Sequence, residues 1–147
     1  MKPKALILTG YGINAEKELK WAFDLAGAEA TIVNLEDLIE NKKMMNDYQI
    51  LGFPGGFSFG DHIASGKVFA NLVKYNLFDE VKEFIAADKL VIGICNGFQV
   101  ITKLGLVTFS LTPRASAVNL TRAVFPAPIS PKRLKKHHLS LISIANF

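Results

Sequence analysis

The chain of 147 residues is poor in the residues that most small sites are built from: it has one cysteine, one tryptophan and three histidines. A lone cysteine excludes an internal disulfide, and with nothing else pointing to an oxidising compartment the expected location is a reducing cytoplasm. No apolar run approaches the length of a membrane span; ALIL near the start is also too short for the core of a signal peptide, so no membrane partner is expected. Clustered metal-ligand spacings are missing, and TGYGIN lacks the lysine and the spacing of a phosphate loop. Acidic residues are absent after Asp88. Residues 1–88 carry nine basic against thirteen acidic residues, a net −4, and residues 89–147 carry eight basic residues and no acid. Such asymmetry can mark a nucleic-acid arm. Here the basic residues are diluted by apolar ones and only PKRLKKHH is dense, so nucleic acid is not the expected partner.

What is present fits one domain, since half of the residues are hydrophobic and the length is ordinary for a single core. KALILTG, EATIVNL, YQILGF and KLVIGI read as strands: short, aliphatic, and bounded by glycine or polar residues. Between them NAEKELKWAFDLAGA predicts a helix capped by Asn14, with Leu19, Ala22, Phe23 and Ala26 on its inner face and Gly27 at its end. LEDLIENKKMM predicts a weaker helix; KVFANLVKYN, LFDEVKEFIAAD and NGFQVITKLG predict three more. This alternation implies an α/β fold: a doubly wound, mostly parallel sheet with helices on both faces. Ligands of such sheets gather at the carboxyl ends of the strands, where PGGFSFGDH and GICNG both fall. Beyond Val107 no helical or alternating period is evident, and four of the six prolines lie there.

Cys95 stands between Gly93 and Gly97 at the junction of a predicted strand and a predicted helix. It could be a small buried hydrophobe, as free cysteines often are. The spacing G-x-C-x-G instead follows the logic of a nucleophile elbow, in which a sharp turn leaves no room for side chains two positions to either side. Attack on a carboxamide also needs N–H donors aimed at the oxyanion. The amide of Asn96 is one candidate, and the loop at Gly55 and Gly56, where backbone can approach a substrate closely, supplies another.

GICNGFQV resembles the G-x-C-x-G-x-Q motif of class I (triad) glutamine amidotransferases, whose sheet is flavodoxin-like. The asparagine after the cysteine, together with PGGFSFGDH and GINAEKEL, is similar to one branch, the glutaminase subunits of phosphoribosylformylglycinamidine synthase. The resemblance covers about residues 3–107, and the chain divides accordingly into a partial amidotransferase domain over 1–107 and a basic, proline-containing tail over 108–147. It implies that Cys95 attacks glutamine to form a thioester, that Asn96 and Gly56 supply the oxyanion hole, with Gly55 beside them, and that Gln99 helps to hold the substrate. Ammonia then passes to a synthetase subunit in purine biosynthesis. No cofactor is implied for this chain; ATP and magnesium belong to the partner. Asp61 and His62 fall within the loop motif, where a solvated pair rather than a catalytic dyad is expected.

The sequence departs from the family in one respect. Members carry a late His-x-Glu element that moves and orients the proton, whereas no glutamate follows Glu83 here, and His137 and His138 precede Leu139 and Ser140. The C-terminal part of the family's fold is therefore expected to be incomplete, and a catalytically impaired or noncatalytic amidotransferase-like fragment that only binds the synthetase is the alternative function. Out-of-frame translation from near residue 107, natural divergence and a damaged remnant all fit the tail. Proline enrichment, loss of acids and the end of the resemblance coincide at nearly one place, which favours the first.

Overall fold

The computed structural model describes residues 2–61, 64–107, 120–121 and 141–144, the last two segments as backbone only. Strands β1 (Lys4–Thr9), β2 (Glu29–Asn34), β3 (Ile50–Phe53) and β4 (Leu90–Ile94) pair in parallel, with registers such as Ala5 beside Ala30 and Ile50, and Ile50 beside Leu90. Two short strands from beyond Val107 continue the sheet: β5 (Leu120–Thr121) pairs antiparallel with β6 (Leu141–Ile144), which lies parallel to β4. The resulting order is β2-β1-β3-β4-β6-β5. The sequence pattern predicted no strand in this region, because LISI is a four-residue run with no turn chemistry or alternation to set it apart.

Helices α1 (Glu16–Leu25), α2 (Leu35–Glu40), α3 (Lys67–Asn76), α4 (Phe78–Ala86) and α5 (Asn96–Lys103) follow the strands, α3 and α4 together between β3 and β4. The pleat of β1 shows how they are layered. Leu6 and Leu8 join the larger core with Leu38 of α2, Phe69 of α3, Phe84 of α4 and Ile101 of α5, while Ala5 and Ile7 face the opposite way and pack with Leu19 of α1. The sheet is thus covered on both faces, as the alternation predicts. Each fully buried leucine, isoleucine or phenylalanine of these layers contributes about 1.5–3 kcal/mol through area removed from water.

Two details of α1 differ from the sequence reading. Asn14 does not cap it; Ala15 holds the N-cap position with no side-chain bond, and the backbone N–H groups of Asn14 and Ala15 donate instead to the Gly55 carbonyl at 3.4 and 3.3 Å. A contact distant in sequence has replaced the local cap. Of the expected inner face, Leu19 is buried and Phe23 half-buried, but Ala22 and Ala26 are exposed, since α1 rests on the sheet through one i, i+4 row. Gly27 does end the helix with a positive φ of 91°. Asp24 then ties α1 to β2: Lys20 donates to its carboxylate and holds its pKa below the ordinary value, helped by the Ala30 N–H at 3.1 Å.

The predicted helix over LEDLIENKKMM is divided between α2 and a 3-10 turn at Lys42–Asp47. Asn34 caps α2, its side chain accepting from the Glu36 N–H at 3.0 Å.

Candidate active site

Three segments meet at the carboxyl ends of the strands: Gly10–Ala15 after β1, Pro54–Asp61 after β3, and the turn at Cys95 after β4. Cys95 sits between β4 and α5 with φ 51° and ψ −112°, a conformation that L-residues rarely adopt, and its side chain is exposed. The strain has a visible cause. α5 springs from the sheet so tightly that a Cβ on Gly97 would stand 1.9 Å from the Phe53 carbonyl oxygen, and one on Gly93 would stand 2.8 Å from the Gly97 oxygen. Both glycines are therefore steric requirements of the turn, as the G-x-C-x-G spacing suggests. Cys95 is not a core residue.

Gly55 lines the space beside the thiol. A Cβ built on it would lie 3.5 Å from Cys95 Cβ and 3.6 Å from Ala15 Cβ, so these three residues frame one small recess. Gly56 has a different reason to be glycine: its φ is 148°, and a Cβ there would come within 2.7 Å of the Gly12 oxygen and 2.8 Å of Ile13 Cα. It forms an isolated bridge with Ile13, made by the Gly55 carbonyl and by the Phe57 N–H, which donates to the Gly12 oxygen at 2.8 Å. That bridge does not use the Gly56 N–H. The other oxyanion candidate is the N–H of Asn96, first residue of α5, which by helix geometry has no carbonyl one turn back to bond.

The Asn96 side chain is buried, with 1% of its surface exposed, and is fully engaged. Its Oδ1 accepts from the Ser58 N–H at 3.2 Å, while its Nδ2 donates to Asp61 Oδ1 at 3.3 Å and to Gln99 Oε1 at 3.1 Å. Asp61 also accepts from the Gly66 N–H at 3.1 Å, at the head of α3. Asp61 is thus half-buried and bonded into the site rather than one member of a solvated pair, which corrects the sequence reading; His62 lies outside the described residues. The network spans a strained loop. Phe59, Gly60 and Asp61 follow one another with φ of 53°, 63° and 51°.

Ala15, at the end of the Gly10–Ala15 segment, borders the recess; the sequence reading rejected TGYGIN as a phosphate loop and gave the segment no place in the site. Its signal was Gly12, whose φ is 83° and whose Cβ would collide with the Phe57 oxygen at 2.1 Å.

The family profile described as a CobB/CobQ-like glutamine amidotransferase domain matches residues 2–125. The chain belongs to this glutamine amidotransferase family. Among curated relatives of this amidotransferase chain, the phosphoribosylformylglycinamidine synthase subunit PurQ of Methanococcus maripaludis is 54% identical over 123 residues, covering 84% of the chain and 46% of the relative. The PurQ of Treponema denticola is 50% identical over 107 residues, covering 73% and 40%. A solved structure of PurLQS from Thermotoga maritima superposes with a TM-score of 0.61 at 31% identity, over 74% of the chain and 47% of that one. Oxidized DJ-1 of Toxoplasma gondii, at 15% identity and a TM-score of 0.62 over 98% of the chain and 82% of its own, shares the fold alone. The chain spans less than half the length of the curated relatives just described.

Proposed function

We propose that the chain is the glutaminase part of a phosphoribosylformylglycinamidine synthase, acting on glutamine through Cys95. The observation that carries this reading is the exposed thiol on a strained turn beside Gly55, at the head of α5. In this scheme Cys95 sulfur attacks the side-chain carboxamide carbon, and the carbonyl oxygen becomes an oxyanion received by the N–H groups of Asn96 and Gly56. Collapse of that intermediate breaks the C–N bond, the nitrogen leaves as ammonia carrying the proton given up by the Cys95 thiol, and a thioester remains. Water then releases glutamate and returns the thiol. Gln99 holds the substrate.

The reading assigns no cofactor to this chain. ATP and magnesium act on a synthetase subunit that consumes the ammonia, and the naming of the Thermotoga structure as PurLQS supports an assembly of that kind. A cytoplasmic location is part of this proposal. Among the described residues no helix is long and apolar enough to cross a membrane. None of the three histidines is among the described residues, so capture of the first covalent step tests this site more directly than turnover. Incubation with the glutamine-like electrophile diazo-oxo-norleucine, followed by intact mass measurement, gives one adduct on the wild-type chain and none on Cys95→Ala. Absence of an adduct on the folded wild-type chain contradicts the reading.

A further inference from the structure

We infer that the Asn96 side chain, held by the Ser58 N–H and by Asp61, is a positioning residue that turns the Gln99 amide so that its Nε2 hydrogens face the substrate. The inference rests on the functional reading above and concerns side chains that reading does not use for chemistry. Amide orientations are ambiguous only where both neighbours could switch. Here neither end can. A backbone N–H donates and cannot accept, and an ionised carboxylate accepts and cannot donate. With Ser58 N at 3.2 Å on one side and Asp61 Oδ1 at 3.3 Å on the other, Asn96 has one orientation that satisfies both. Its second Nδ2 hydrogen then points at Gln99, which must answer with Oε1, at 3.1 Å. Gln99 Oε1 is committed inward, and its NH₂ group is what the side chain offers outward. Such a group matches an acceptor on the ligand, either the carboxylate or the amide oxygen of glutamine.

The chain of bonds also explains why a carboxylate stands at Asp61. The residue has a positive φ of 51° and its Oδ1 takes a second bond from the Gly66 N–H, so the strained loop, the elbow helix and the head of α3 are joined at one oxygen. A left-handed non-glycine persists only where its surroundings over-determine it.

Two variants separate positioning from support. Asn96→Asp keeps an oxygen for the Ser58 N–H but sets its other oxygen against Asp61 and forces Gln99 to turn its NH₂ inward. Asn96→Asp combined with Asp61→Asn removes the carboxylate repulsion, because the amide introduced at position 61 can donate to the new carboxylate, yet Gln99 stays reversed. The readouts are the thermal midpoint and the ratio of Cys95 inactivation by diazo-oxo-norleucine to its alkylation by iodoacetamide, measured on the full chain. Asn96→Asp lowers both, the ratio by roughly tenfold for a lost substrate hydrogen bond. The double variant keeps the loss in ratio whatever its midpoint, since the amide nitrogen that now faces position 96 cannot accept from the Gly66 N–H as the shared oxygen did; recovery of the ratio overturns the inference. A wild-type chain that takes no diazo-oxo-norleucine overturns the functional reading instead, and the bond network is then decided by hydrogen exchange. Slow exchange of the Asn96 NH₂ protons in wild type, lost in Asp61→Ala, upholds it. Unprotected exchange in wild type defeats it.

Discussion

Gly55 and Cys95 are neighbours across the carboxyl ends of β3 and β4, close enough that a methyl group on Gly55 would sit 3.5 Å from Cys95 Cβ. That spacing is ordinary van der Waals contact, and Gly55 is not among the residues with positive φ. Gly55→Ala is therefore compatible with the fold while filling the recess where a substrate amide would lie. The expected outcome is a thermal midpoint within a few degrees of wild type and at least a roughly tenfold slower reaction of Cys95 with diazo-oxo-norleucine, as for a loss of about 1.4 kcal/mol. Unchanged labelling would remove Gly55 from the site.

The strained turn yields a prediction of opposite sign for stability. Cys95 has φ 51° and ψ −112° and an exposed side chain, so replacing it removes little buried surface. Cys95→Gly relieves a backbone cost of order 1–3 kcal/mol and is expected to raise the unfolding free energy by about 1 kcal/mol after the entropy of glycine is counted. Cys95→Ala keeps Cβ and keeps the strain. Chemical denaturation of the two variants checks this: equal stability would mean that the elbow is unstrained.

Glycines at the elbow and elsewhere should separate clearly. Gly97→Ala drives a Cβ to 1.9 Å from the Phe53 oxygen, whereas the position of a Cβ on Gly27 has nothing within 4 Å and only an unfavourable φ of 91°. Gly97→Ala is expected to cost at least about 3 kcal/mol by overpacking against backbone, and Gly27→Ala about 1 kcal/mol by strain alone. Denaturant titrations of both variants measure the difference; similar costs would contradict the close approach of α5 to β3.

Much of this molecule is legible in its sequence because the signals are local. The aliphatic runs of β1 to β4 and the amphipathic patterns of α3, α4 and α5 each lie within one segment, and the elbow declares itself through two glycines around one cysteine. What was not legible depends on partners far along the chain. Asn14 is a good cap by type, but the carbonyl of Gly55 reaches the head of α1 first. Asp61 reads as a solvated loop residue until Asn96, 35 residues later, is folded against it. The strand at Leu141–Ile144 exists only as an addition beside β4, and nothing within its four residues announces that.

The central claim is that the recess beside Cys95 receives the carboxamide of glutamine, and substrate protection tests it most directly. Alkylation of the wild-type chain by iodoacetamide is followed by mass spectrometry at increasing glutamine, with leucine as the control. The account predicts that glutamine slows modification of Cys95 in a saturable way and leucine does not. Alkylation at one rate under all three conditions would contradict it.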